Sequence, residues 1–359
     1  MKAAVCREFG KPLTIEDIDV NPPQAGELKV DLSACAICHS DIIYMDGGWG
    51  GKLPAVYGHE AAGVVAEVGS GVNNVVPGDH VVVTLIRSCG HCRYCSQGKP
   101  VICDTSFHLD AESPLNSKQG QPIQQGLRTG AFAETVTVDA SQVVVIPKTV
   151  PLDSASLLAC SVITGLGAVI NTADVEPGSD VVVTGTGGVG LNSVQGAVLA
   201  GARTIIAIDL ADDKLRAAKD FGATHAINGS TQNAVDEVLK LTDGRGVDYV
   251  FITVGAKPAI EQAFKLLSRG GEAVIVGMPE SGVMTEFDPG AFAGYGQRVL
   301  GSKMGSARID IDIPMLVDLY QQKRLKLDEL ITARYALDDI NEAITSVRNG
   351  EALRHIIVF

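Results

Sequence analysis

The sequence predicts an α/β chain in two parts, an irregular β domain with barrel character followed by a doubly wound parallel sheet. Three observations carry that expectation. Residues 1 to about 150 consist of short Val-rich or alternating runs broken often by Gly and Pro, which suits a compact β domain of barrel type. After Pro151 the texture changes, and strand-like and helix-like runs alternate: "DVVVTG", "VGLNSVQGAVLAGA", "TIIAIDL", "DDKLRAAKDFGA". That order builds a parallel sheet covered on both faces. Finally, 359 residues at 46% hydrophobic, 40 of them Gly, are enough chain for two buried cores joined by tight turns.

The elements follow in order. "ELKVDLSACAIC" and "AFAETVTV" alternate in polarity, while "AAGVVAEVGSGV" and "DHVVVTLI" are Val-rich, and all four read as strands. Between them residues 104–130, "DTSFHLDAESPLNSKQGQPIQQGLRTG", show no sustained period and are expected to form a long loop. "DSASLLACSVITGLGAVI" reads as one helix with Asp153 or Ser154 as its N-cap. Residues 300–359 mix helix with a last apolar strand, "HIIVF". No internal repeat or low-complexity tract interrupts the chain.

Charge narrows the function. Lys and Arg total 29 against 42 Asp and Glu, a formal net charge of −13. An acidic chain repels phosphate backbones, so a nucleic-acid partner is not expected. The start, "MKAAVCREFGKPLTIED", lacks the apolar stretch of a targeting signal. No run of about 18 apolar residues offers a membrane span. A cytoplasmic protein without a membrane partner is expected. In that compartment the eight cysteines would be reduced, and clustered ones read as metal ligands rather than disulfides.

Two motifs carry chemistry. In "VVVTGTGGVG", Gly185, Gly187 and Gly190 have the G-x-G-x-x-G spacing between a buried strand and a helix, with Gly188 and Val189 inside the turn. Asp209 ends the next strand, 19 residues past Gly190. That context predicts a Rossmann domain, in which the glycines admit a dinucleotide pyrophosphate to the helix N-terminus. Asp209 would accept the ribose hydroxyls of NAD and repel the 2′-phosphate of NADP. The second motif, "CGHCRYCSQGKPVIC", holds Cys89, Cys92, Cys95 and Cys103. By itself it admits a structural metal, a nucleic-acid zinc module or a redox site. The negative charge argues against the second, and "CRYC" lacks a thioredoxin-like setting for the third.

Further along, "CHSD" (Cys38, His39, Ser40, Asp41), "GHE" (His59, Glu60), "LLACSVITGLGAV" (Cys160, Thr164) and the terminal "LRHIIVF" (Arg354) stand in order around these motifs. Together they resemble the zinc-dependent alcohol dehydrogenases of the medium-chain dehydrogenase/reductase family, nearly end to end. The resemblance implies a chaperonin-like β-barrel catalytic domain, residues 1–160 and 303–359, carrying a structural zinc lobe at about 89–103, and a Rossmann domain at 161–302. It implies two Zn2+ per chain: a catalytic ion on Cys38, His59 and Cys160, which Glu60 can approach, and a structural ion closed by Cys89, Cys92, Cys95 and Cys103. Asp41 would orient the ligating histidine. Ser40 would take the alcohol's proton. His39 and Arg354 would stand at the pyrophosphate, Thr164 and Val189 on either side of the nicotinamide, and Lys214 at the adenosine ribose. Cys6 and Cys35 remain as packing residues.

The implied function is hydride transfer between NAD and a small alcohol, aldehyde or ketone, in a homodimer or homotetramer. One departure stands out. Where many relatives end the proton relay with a His, this chain has Ile43, which carries no proton. Trp49, Leu85 and Met278 resemble positions lining the substrate channel and suggest an apolar pocket. Part of the 104–130 stretch is similar to the branch acting on the hydroxymethyl adduct of glutathione, though the stretch looks shorter than in that branch and "CDTSFH" shows no Arg where those enzymes grip the tripeptide. A dehydrogenase of a thiol adduct is therefore the alternative substrate reading, and a non-catalytic protein of dehydrogenase fold is the alternative class.

Overall fold

Valine runs become buried strands in both halves of the chain. The computed structural model describes residues 1–359 and separates them into two units, Met1–Cys160 with Arg308–Phe359, and Ser161–Ala307. In the first unit, five short strands close a barrel in the order Lys2–Cys6, Thr14–Val20, Leu115–Ser117, Pro122–Gln125, Ala55–Val56. A second sheet runs Val143–Val145, His80–Val83, Glu60–Val68, Glu27–Ala36, Arg354–Val358, Ile331–Ala336, with Thr135–Asp139 also paired to Glu27–Ala36. Alternation along Glu27–Ala36 puts Leu28, Val30 and Leu32 into one apolar core with Val5, Val81, Phe132 and Ile357, as period-2 patterning requires.

The stretch 104–130 is not the long loop expected from its polarity. It forms a short helix, His108–Ala111, and then a hairpin, Leu115–Ser117 with Pro122–Gln125, that supplies two strands of the barrel. Its few apolar residues account for this: Leu115 and Ile123 face each other across the hairpin and are both buried. The hairpin turn is drawn in by Ser117 Oγ, which accepts from the backbone N–H of Gln119 and Gln121. Strands of three or four residues are too short to show a period in sequence.

In the second unit all six strands are parallel, in the order His225–Asn228, Thr204–Asp209, Asp180–Thr184, Val247–Ile252, Leu267–Ile275, Arg298–Gly301. Strand order reverses between Asp180–Thr184 and Val247–Ile252, and ligands of doubly wound sheets bind beyond the carboxyl ends of the strands at such a point. The unit continues past 302 to Ala307. Gly305, at φ +63°, packs so closely that a Cβ would lie 2.0 Å from the Ile163 carbonyl oxygen. Thr172 Oγ1 lies 2.9 Å from both Ser302 Oγ and Ser306 Oγ.

The expected single helix over 153–170 is broken. Leu152–Ser156 is α-helical with Pro151 as its N-cap, so neither Asp153 nor Ser154 takes that place. A 3-10 turn, Leu157–Ala159, follows, Cys160 leaves helical geometry at φ −144°, ψ −68°, and Ser161–Gly167 resumes the helix. No single helix is long and apolar enough to cross a membrane.

Candidate active site

Strand register brings the first donors together. Ala36 pairs with Glu60 on one side and with Ile356 on the other. The chain then leaves the sheet, and Cys38 becomes the N-cap of helix His39–Met45 in an extended conformation, φ −110°, ψ 150°. His59 sits one residue before the strand Glu60–Val68. The break in the 152–167 helix carries Cys160 into the same place. Donor atoms of Cys38, His59, Glu60 and Cys160 all lie within 4.8 Å of one another, and all four residues are buried.

Asp41 organises this set. Its Oδ1 accepts from the Gly58 N–H at 2.8 Å and faces His59 Nδ1 at 3.0 Å, and its Oδ2 accepts from the Cys38 N–H at 3.1 Å. The carboxylate is fully buried, so each of these charge-assisted bonds forms away from water. With Nδ1–H donating to Asp41, the lone pair of the imidazole is on Nε2. That atom is buried and has no hydrogen-bond partner. Buried polar atoms are rarely left so, and a ring nitrogen aimed among two thiols and a carboxylate is the donor set of a metal. Gly58 is required where it stands: at φ +91°, a Cβ would come within 2.6 Å of the Phe132 backbone nitrogen.

The local field favours a thiolate. The Cys160 thiol and then His59 hold Cys38 well below the ordinary thiol range, while Cys38 and burial push Cys160 up. Burial opposes a proton on His59, but Asp41 and Cys38 outweigh it. Burial also raises Glu60 to about 7, against the pull of Arg354. The Arg354 guanidinium donates to the Glu60 carboxylate, and both are buried. Sequence reasoning did not anticipate this pair, because it depends on two strands joined only through the strand between them.

The four-cysteine stretch is a second donor set, with Cys89, Cys92, Cys95 and Cys103 also within 4.8 Å of one another. Backbone N–H groups point at its sulfurs: Cys92 N–H to Cys89 Sγ at 3.2 Å, Cys95 N–H to Cys92 Sγ at 3.4 Å, Cys89 N–H to Cys103 Sγ at 3.4 Å. Thr105 Oγ1 donates to Cys89 Sγ at 3.0 Å. Such donors stabilise thiolates, and four thiolates close a tetrahedron. Cys6 and Cys35 are buried and unbridged.

In the other unit, the glycine turn shows why each glycine is there. Gly185 has φ +87°, and a Cβ on Gly190 would lie 1.8 Å from its carbonyl oxygen. A Cβ on Gly187, the N-cap of helix Gly188–Leu199, would meet nothing within 4 Å. The helix N-terminus therefore faces open space, as an anion site requires. Thr253 Oγ1 donates to the Gly185 carbonyl at 2.6 Å. Asp209 Oδ2 accepts from Thr186 N–H at 2.6 Å and faces Thr186 Oγ1 at 3.1 Å. The strand-end acid is thereby fixed to the turn it serves. Sequence reasoning missed Thr186 and Thr253; the first lies inside the motif, and the second directly follows the strand across the switch point, Val247–Ile252. Thr164 is buried and donates to Met304 Sδ at 3.7 Å. Val189 crosses tightly against Gly165, whose Cβ would come 2.2 Å from the Val189 carbonyl oxygen. Lys214 is half-exposed in the first turn of Asp212–Asp220.

Around the first donor set, His39 is exposed and Ser40 half-buried at the start of their helix. Ile43, one turn further, is half-buried, as are Trp49 and Leu85. The Trp49 ring stands edge-on to Tyr44 at 5.1 Å, and Tyr44 stacks on Tyr57 at 5.9 Å. Met278, in the other unit, is 60% exposed.

Comparison with known proteins agrees with this geometry. Residues 24–148 match the alcohol dehydrogenase GroES-like domain, and residues 188–322 the zinc-binding dehydrogenase domain. The chain is 38% identical over 365 residues to the NDMA-dependent alcohol dehydrogenase of Amycolatopsis methanolica, covering 99% of this chain and 98% of that one. It is 40% identical over 369 residues to the class-3 alcohol dehydrogenase of Pisum sativum, covering 99% and 97%. The crystal structure of benzyl alcohol dehydrogenase from Acinetobacter calcoaceticus superposes with a TM-score of 0.93 at 33% identity, over 100% of this chain and 99% of that one.

Proposed function

The chain belongs to the zinc-dependent alcohol dehydrogenases of the medium-chain dehydrogenase/reductase family, and from that premise we propose how its residues divide the work. It interconverts a small alcohol and its aldehyde or ketone by hydride exchange with a nicotinamide dinucleotide. In our reading the cofactor is NAD, the catalytic Zn2+ is held by Cys38, His59 and Cys160, and a structural Zn2+ by Cys89, Cys92, Cys95 and Cys103. The observation that carries the site assignment is the buried, unpartnered His59 Nε2 among sulfur and carboxylate donors.

When bound, Zn2+ supplies a Lewis acid that eases loss of an alcohol's proton and polarises a carbonyl, and NAD supplies the hydride acceptor. The protein's share is position and charge. Asp41 fixes the His59 tautomer and, through the Cys38 N–H, the start of the helix that follows. Ser40 Oγ, two residues after Cys38, takes the proton given up by the alcohol. Ile43 lies three residues further along the same helix face, where it cannot pass that proton on. The proton therefore leaves Ser40 through another hydroxyl or water. The open helix N-terminus at Gly187 receives the pyrophosphate. Asp209 places a negative charge where NADP would bring its 2′-phosphate, which supports NAD.

The test combines metal analysis with turnover. Purified protein should hold two zinc ions per chain. It should reduce NAD, and NADP poorly, on a panel running from short and long primary alcohols through secondary and aromatic alcohols to the hydroxymethyl adduct of glutathione. Chelation should abolish turnover. One zinc per chain, retained when Cys38 and Cys160 are replaced by Ser, would overturn the catalytic assignment.

A further inference from the structure

The carboxylate that ends strand Thr204–Asp209 is already fully engaged. Asp209 Oδ1 accepts from Leu210 N–H at 2.8 Å and Ala211 N–H at 3.2 Å, and Oδ2 accepts from Thr186 N–H at 2.6 Å and from the Thr186 hydroxyl at 3.1 Å. An ionised carboxylate offers about four lone-pair sites, and these four donors take them. Yet an acid in this place recognises NAD by accepting a ribose hydroxyl. A ribose hydroxyl can bond there only if one of the four gives way. Three are backbone N–H groups whose direction is set by the main chain. Thr186 N–H is held by the glycine turn, next to Gly185 at φ +87°, and those of Leu210 and Ala211 by the approach to helix Asp212–Asp220, of which Ala211 is the N-cap. The fourth donor is a hydroxyl, which rotates about its C–O bond.

We propose that Thr186 is a positioning residue that sets cofactor affinity through Asp209: in the free protein its hydroxyl holds the acceptor position that the adenosine ribose takes on binding, so NAD binds only by displacing it. This rests on the reading of Asp209 as the ribose acid. Thr186 is fully buried, and its hydroxyl has no acceptor besides Asp209. Once displaced it is a buried donor without a partner, which is costly. The chain therefore binds NAD less tightly than its acid allows. The 2′-phosphate of NADP brings acceptors where NAD brings a hydroxyl, so NADP has no donor at that position with which to displace Thr186. The Thr186 hydroxyl thus penalises NAD and not NADP, and deleting it widens the preference for NAD.

The test measures binding rather than turnover. Zinc-loaded protein is titrated with NADH and, separately, with NADPH, following the fluorescence of the reduced nicotinamide. In Thr186→Val, which keeps the side-chain shape and the backbone N–H, NADH should bind about two- to tenfold more tightly, the worth of one hydrogen bond, while NADPH affinity stays at the parent's value. Thr186→Ser retains the hydroxyl and should bind NADH as the parent does. Thr186→Ala removes the same hydroxyl without the added methyl and should show the same gain if thermal melts reveal that the Val variant packs poorly. In an Asp209→Ala background there is no carboxylate to compete for, so adding Thr186→Val should leave NADH affinity unchanged. NADH affinity in both hydroxyl-deleted variants at or below the parent's, an equal gain for NADPH, the same gain in Thr186→Ser, or a gain that persists with Asp209→Ala each overturns the inference. An Asp209→Ala protein that keeps the parent's ratio of NADH to NADPH affinity overturns the reading of Asp209 instead, so the two failures are distinguishable.

Discussion

Replacing Asp41 with Asn probes the site through one atom. The carboxylate accepts three hydrogen bonds, from Gly58 N–H at 2.8 Å, His59 Nδ1 at 3.0 Å and Cys38 N–H at 3.1 Å, and it is fully buried. An Asn of the same shape keeps its oxygen toward Gly58 and His59 but turns an NH2 toward the Cys38 N–H. Two effects follow. The donor left without an acceptor costs about 1–3 kcal/mol of stability. The loss of negative charge on the His59 Nδ1 side lowers the basicity of Nε2, and removal of such outer partners costs roughly 10–100-fold in metal affinity, or about 1.4–2.8 kcal/mol. Cys89, Cys92, Cys95 and Cys103 lie in a separate stretch and should keep their ion. The assay is a chelator titration of the zinc-loaded protein, following metal release and turnover together. In Asp41→Asn one zinc per chain should be lost at roughly 10–100-fold lower chelator activity, with activity lost alongside it, while the second zinc dissociates as in the parent. Release of both ions at the parent's chelator concentration would refute the reasoning that Asp41 acts through His59.

The other predictions concern both units. Gly190→Ala places a Cβ 1.8 Å from the Gly185 carbonyl oxygen, an overpacking against backbone expected to cost about 1–3 kcal/mol or more. Gly187→Ala, at φ −75° with nothing within 4 Å, should melt as the parent does yet bind NADH weakly by intruding on the pyrophosphate; thermal melts and NADH fluorescence separate the two, and a Gly190→Ala that melts normally would sink the idea. Burial raises Asp180, but Arg203, bonded to it at 3.1 and 2.6 Å, with Thr204 and Arg245, holds it below its ordinary value. A depressed carboxylate stabilises above its unfolded value of about 3.9 and loses that contribution as pH falls through the folded value. The melting gap between parent and Asp180→Asn should therefore be constant near neutrality and close below about pH 4, and a gap independent of pH would contradict this. Ile43→His, one turn from Ser40 on the same helix face, should shift the pH profile of turnover; an unchanged profile means the proton does not leave by that route.

What the sequence determined by itself is local. The G-x-G-x-x-G turn needs only a strand, three glycines and a helix start within a few residues, and the four-cysteine stretch encloses its donors within 15 residues, Cys89 to Cys103. Both are legible because backbone geometry and spacing are local properties. The ligands Cys38, His59 and Cys160 could be named through family resemblance, but nothing in their spacing brings them together. Their meeting depends on the register that sets Ala36 against Glu60 and on a helix that breaks at Cys160. Only the tertiary structure decided that the polar stretch 104–130 contributes barrel strands, since Leu115 and Ile123 gain their burial from pairing across a hairpin. Only it joined Arg354 to Glu60, residues 294 positions apart. Hydrogen-bond partners of a strand lie on other strands, and a carboxylate's charge partner is whichever cation the folded sheet delivers to it; neither is written in the residues alongside.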